Sequence, residues 1–257
     1  MAAVELAYSE FGQPRAAPLI ILHGFFASSR NWKFIAEKLA ASYRVLVLDL
    51  RNHGMSPHHP LMDYPVMAED VRRFMALRGL ASASLLGHSM GGKIAMWLAL
   101  NDPDAVDQLI IADIAPVTYP HRFDETFSAL KMLPLASISN RKQAEETLAD
   151  AIPELSYRQF LLQNLALRNG SYEWRVDLDI LARSAPSIAA FPDTRERQPY
   201  RDSALFIAGA ESNYVQAETI LPLFPNAQLQ TLSGAGHWLH VQQPESFLAA
   251  VLDFLHP

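Results

Sequence analysis

The chain has 257 residues, half of them hydrophobic and 19% charged, so it can bury a sizeable core in one domain with room for an inserted lobe, and a disordered chain is excluded. A formal net charge of −6 supplies no basic field for a nucleic acid, and the lack of cysteine removes disulfides, a thiol nucleophile and cysteine-ligated metal clusters. Residues 1–11 carry Glu5 and Glu10 without a basic or apolar leader, and no apolar run reaches membrane-spanning length, so a cytoplasmic protein with no membrane partner is expected.

Taken in chain order, short apolar runs alternate with amphipathic stretches through the first 115 residues, the pattern of a mostly parallel sheet covered by helices. Residues 19–22, 45–48, 84–86 and 109–112 read as buried strands. Between them, 32–41, 65–78 and 90–101 have helical spacing, and Asn101-Asp102-Pro103 ends the third helix. From 116 to 200 no strand stands out. There, 123–133, 141–151 and 157–167 look helical, with Pro134, Pro153, Pro186, Pro192 and Pro199 as punctuation. The first pattern then resumes with a strand at 204–208, a helix around 218–224, a strand at 228–232 and a last helix from Glu245. The expected architecture is α/β: residues 1–115 and 201–257 form a core around a mostly parallel sheet, and 116–200 form a helical cap inserted over the strand ends.

The strand at 84–86 runs through Gly87-His88-Ser89-Met90-Gly91 into a helix. A bare G-x-S-x-G is a weak signal, but its place between strand and helix is what a nucleophile elbow requires, and it nominates Ser89. The helix that opens at Met90 also directs free N–H groups and the positive end of its dipole toward a developing oxyanion. A serine hydroxyl needs a base, and the strand at 228–232 is followed by Gly234-Ala235-Gly236-His237-Trp238, which makes His237 the candidate ahead of His240. Residues 18–22 run into His23-Gly24-Phe25-Phe26, where Gly24 allows close backbone approach, Phe25 N–H joins Met90 N–H as an oxyanion hole, and His23 braces the loop.

The acid is less clear. The usual place, after the next-to-last strand, holds Glu211 and Ser212, whereas Asp113 follows the strand at 109–112 beside the nucleophile strand. Asp113 is assigned the role, with Ser212 donating to the Asp113–His237 pair and Glu211 as the alternative acid. Phe26, His88 and Trp238 are expected to line the substrate pocket, and Arg122, with His121, either to meet an anionic substrate group or to serve only as surface. Arg51-Asn52-His53-Gly54 reads as a structural turn, and His58 and His59 as solvated.

Together with Asp49-Leu50-Arg51-Asn52-His53-Gly54-Met55-Ser56-Pro57 and Asp113-Ile114-Ala115-Pro116, these motifs resemble the YbfF-type esterase group of α/β-hydrolases over nearly the whole chain. The resemblance implies a carboxylesterase acting on small acyl esters, extending to acyl-CoA thioesters, with its acid after the strand that follows the nucleophile strand. Asp113 and Ser212 match that arrangement. A carbon–carbon bond hydrolase, a perhydrolase, an acyltransferase or a non-catalytic binding protein remain as alternatives. No metal or organic cofactor is needed, the partner is a small molecule, and a monomer or small homo-oligomer is expected.

Overall fold

Apolar runs with no charge inside them suit strands covered on both faces. In the computed structural model, which describes residues 3–120 and 123–255, they form such strands. The elements run β1 (Tyr8–Phe11), β2 (Ala17–Leu22), α1 (Lys33–Leu39), β3 (Tyr43–Leu48), α2 (Tyr64–Leu77), β4 (Ala83–His88), α3 (Met90–Asn101) and β5 (Val106–Ala112). A long connection follows, with α4 (Asp124–Met132), α5 (Arg141–Thr147), α6 (Leu155–Leu162), β6 (Leu165–Arg168), β7 (Ser171–Trp174) and α7 (Leu178–Ala189). The chain closes with β8 (Ala204–Gly209), α8 (Ala217–Ile220), β9 (Ala227–Leu232), α9 (Leu239–Gln242) and α10 (Pro244–Leu255).

The main sheet has seven strands in the order β1-β3-β2-β4-β5-β8-β9, with β1 antiparallel to β3 and the other pairs parallel. Alternate residues serve opposite faces. Leu85, Leu109, Ile111 and Phe206 pack with Met67, Val71, Ile94 and Leu98 of α2 and α3. Leu86, Ile110, Leu205 and Ile207 pack with Ile35, Leu39, Phe247 and Val251 of α1 and α10. Each such buried side chain contributes on the order of 2 kcal/mol, so the sheet is the rigid part of the molecule. Its register sets His88 beside Ala112, Ala112 beside Ile207 and Gly209 beside Leu232. The C-terminal ends of four neighbouring strands therefore share one edge.

Several elements differ from the sequence reading. The edge strand β1 was not anticipated, because its four residues carry no buried apolar run. The connection, expected to be helical throughout, contains the β6–β7 hairpin, and the helix expected over 157–167 spans Leu155–Leu162. The hairpin signal was present: Asn169-Gly170 turns with φ of 51° and 80°, the two left-handed residues that a tight hairpin turn demands. Helix α7 was masked by Pro186, which lies inside it rather than ending it; Asp177 starts the helix by accepting from Asp179 N and Ile180 N.

Candidate active site

Between β4 and α3 a single residue makes the turn. Ser89 does so at φ 52° and ψ −118°, a strained conformation for a residue with a Cβ. Close approach demands the flanking glycines: a Cβ on Gly87 would lie 2.4 Å from Gly91 O, and one on Gly91 2.2 Å from Leu22 O. The turn is pinned by Ser89 N donating to Ala112 O at 3.1 Å and by Lys93 N donating to Ser89 O at 3.1 Å. That last bond opens the helix ladder, so the N–H groups of Met90, Gly91 and Gly92 precede it.

The next strand supplies a carboxylate. Asp113 leaves β5 at φ 52°, fully buried, and is fixed by its own N–H donating to Ile207 O at 2.8 Å. Its Oδ1 accepts from Gly209 N at 3.0 Å, and its Oδ2 accepts from Ser212 Oγ at 2.6 Å and from His237 Nδ1 at 2.8 Å. The other ring nitrogen, His237 Nε2, lies 3.1 Å from Ser89 Oγ. A carboxylate facing Nδ1 holds the proton there and leaves Nε2 free to accept from the serine hydroxyl. Ser89, His237, Asp113 and Ser212 thus join in one hydrogen-bonded chain. Glu211, the alternative acid, is exposed, and its backbone N–H donates to Ala235 O.

The loop after β2 lies against the serine: a Cβ on Gly24 would be 3.3 Å from Ser89 Cβ. His23 braces this loop as expected, donating from Nδ1 to Gly24 O and accepting at Nε2 from Leu50 N. Phe26, at φ 63°, gives its N–H to His53 Nε2 at 3.1 Å, and Ala27 gives its N–H to Gly24 O. His53 belongs to the structural turn after β3, where Arg51 forks onto Asp70 (Nε–Oδ2 2.6 Å, Nη2–Oδ1 2.7 Å) and Asp49 accepts from Ser29 N and Met55 N. Burial pulls His53 down to about 3, so it is neutral and can accept.

Of the residues expected at the substrate, Phe26 packs at a tilt and Phe25 edge-on against Phe127 of α4, at ring distances of 5.3 and 6.2 Å, and Phe25 also meets Phe123 edge-on at 5.4 Å. Trp238 faces Phe160 and Tyr157 of α6 at 5.7 and 6.2 Å. His88 is a correction. It points beneath the site rather than into it, 4% exposed, donating from Nε2 to His237 O at 2.8 Å. Burial, then the neighbouring His240 and His237, hold its pKa well below the usual histidine range. His240 stacks on Trp32 at 4.2 Å and is pulled to about 3 by burial. Arg122 and His121 lie outside the described residues. His58 is exposed, whereas His59 is half-buried and its N–H donates to Asn52 Oδ1.

Two participants escaped the sequence reading. Tyr214 packs on the His237 ring at 4.4 Å, and nothing in its local sequence marks it. Lys93 is fully buried four residues after the serine, and its local sequence gives no hint of its partners.

A family model described as the alpha/beta hydrolase fold matches residues 17–244. The sn-1-specific diacylglycerol lipase ABHD11 of Xenopus tropicalis is 39% identical, with 98% of this chain and 82% of that protein covered. Esterase YbfF of Escherichia coli is 34% identical, with 95% of each covered. A solved structure described as a marine microorganism esterase superposes with a TM-score of 0.91 at 38% identity, covering 98% of this chain and 99% of that one. A strained serine on a strand-to-helix turn, the matched family and these relatives agree: the chain belongs to the α/β-hydrolase fold family and is a hydrolase of the YbfF esterase type.

Proposed function

We propose that the protein is a serine carboxylesterase acting on small acyl esters through an acyl-enzyme on Ser89. The observation that carries this reading is the run Ser89 Oγ, His237 Nε2, His237 Nδ1, Asp113 Oδ2, with contacts of 3.1 and 2.8 Å. Ser89 Oγ attacks the acyl carbonyl while its proton passes to His237 Nε2. Asp113 keeps the imidazole in the required tautomer and stabilises its positive charge, and Ser212 orients the carboxylate. The tetrahedral anion is held by Phe25 N–H and Met90 N–H, each worth about 10²–10³ in rate. Collapse returns the proton to the leaving alkoxide, and water repeats the cycle on the acyl-enzyme.

Residues 116–200 act as the cap, and its aromatic face, with Phe25, Phe26 and Trp238, receives the acyl group. Such a wall favours an apolar acyl chain over a charged one. Acylglycerols and acyl-CoA thioesters are the substrate classes to run beside simple esters, the first because relatives are named diacylglycerol lipases. A fluorophosphonate probe is expected to label the wild-type protein and to leave Ser89→Ala unlabelled. Well-folded wild-type protein that takes no label and hydrolyses no p-nitrophenyl ester would contradict the proposal.

A further inference from the structure

Lys93 lies on α3, four residues beyond Ser89, and is 1% exposed. Its Nζ donates to three backbone carbonyls: Val117 O at 2.8 Å, Ala189 O at 2.9 Å and Ala190 O at 2.7 Å. Those acceptors sit where the chain leaves the main sheet after β5 and where α7 ends before the return to β8. One side chain of the nucleophile helix therefore grips both crossings of the long connection. The crossings are also tied to each other, since Tyr119 N donates to Ala189 O at 3.0 Å and Phe191 N to Thr118 Oγ1 at 3.3 Å. The adjoining carbonyl, Ile188 O, accepts from Tyr64 Oη of α2 at 2.5 Å.

The grip is built for a donor and not for an ion pair. The titratable groups that face Nζ are the rings of Tyr64 from α2 and Tyr119 from the outgoing crossing, at 5.6 and 4.7 Å, and burial raises the pKa of both, so they stay neutral. Burial also pulls Lys93 itself down to about 7. An amine keeps two N–H donors after losing a proton, so the side chain bridges the crossings in either state. Helix α7 ends at two of the acceptors, where its unpaired carbonyls and negative dipole end favour such a donor.

The same short segment begins with Asp113 and continues to Val117, while the aromatic wall of α4 and α6 hangs between the two crossings. We propose that Lys93 is a positioning residue: by clamping both ends of the connection to the nucleophile helix, it fixes the distance of the aromatic wall from Ser89 and so sets how large an acyl group is turned over. This rests on the esterase reading only where substrate size is concerned.

The test compares Lys93→Met with wild type by amide hydrogen exchange and by hydrolysis of p-nitrophenyl acetate and octanoate. Loss of the Nζ donors is expected to speed exchange at Tyr119 and Ala190 by about tenfold or more. It should also raise KM for the octanoate at least about fivefold more than for the acetate. Wild-type protection at both amides, or equal losses on the two esters, would overturn the proposal. Should wild type hydrolyse neither ester, the esterase reading falls while the exchange experiment still decides the clamp. Should Lys93→Met not fold, Lys93→Cys serves, because the chain has no other thiol. Alkylation of the denatured protein with 2-bromoethylamine, then refolding, rebuilds the amine, and this form must recover wild-type exchange where the ethylated form does not. Identical behaviour of the two alkylated forms would overturn the proposal.

Discussion

The sheet edge that carries Ser89 and the β5–β8 connection that packs on Phe26 and Trp238 are held by different forces. At the edge, strand ends from distant parts of the chain are joined by directional bonds of 2.6 to 3.1 Å: Ser212 to Asp113, Asp113 to His237, His237 to Ser89, and Gly209 to Asp113. Across the connection the contacts are ring on ring, Phe127 against Phe26 and Phe160 against Trp238, with polar ties at Lys93 and at Asn164 Nδ2 to Phe26 O. Directional bonds fail when an atom moves by half an ångström, whereas packed rings tolerate substitution of similar volume. On the proposed function, substitutions at the edge are therefore expected to strike the chemistry, and substitutions in the connection the choice of substrate.

The severest break is His237→Ala, expected to lower kcat on any ester by roughly 10⁶ while leaving the melting temperature nearly intact. A variant retaining a tenth of the activity would show that the edge does not hold the chemistry. Next comes the buried Arg51–Asp70 fork at the turn after β3. Asp70→Asn leaves Arg51 without its carboxylate and should cost about 3–5 kcal/mol in urea unfolding, the usual cost of breaking a buried pair. A loss under about 1 kcal/mol would show that the turn is solvated.

Acid should loosen the edge before the connection. Burial holds His23, His53, His88 and His240 below their unfolded pKa, His53 and His240 at about 3. The unfolded chain then takes up protons that the native protein refuses. The stability these histidines contribute is full above about pH 6.5 and is lost as the pH falls toward 3, by up to about 1.4 kcal/mol per pH unit for each histidine. Urea midpoints that stay level between pH 7 and 4.5 would contradict this. The mildest intervention is in the connection: Phe127→Ala should cut kcat/KM for a long-chain ester by about tenfold and for an acetate by much less. Equal losses would place Phe127 in the chemistry and erase the contrast.

Much of the edge was readable in the sequence because each part is local. Gly87 to Gly91 specifies the elbow, and Gly234 to His237 specifies a loop that brings an imidazole back over it. The choice between Asp113 and Glu211 was harder, since it depends on which strand end faces the histidine. The structure has β5 and β8 adjacent, with the Asp113 carboxylate turned toward His237 and Glu211 exposed. His88 was misjudged because position next to a nucleophile says nothing about direction: along a strand, neighbouring side chains face opposite ways. The connection was the least legible part. Its hairpin follows from Asn169-Gly170 only once a helix is given up, and α7 keeps apolar residues at Leu178, Leu181, Ala185 and Ile188 in spite of Pro186. No local pattern foretells that three carbonyls, one at residue 117 and two beyond 188, will converge on Lys93.

Activity is expected to depend on the orientation of the imidazole by the carboxylate that follows β5. Steady-state kinetics of Asp113→Asn beside Glu211→Gln tests it most directly. The expected result is a fall in kcat of about 10⁴ for Asp113→Asn, with Glu211→Gln within about threefold of wild type. A near-normal Asp113→Asn together with a crippled Glu211→Gln would contradict it.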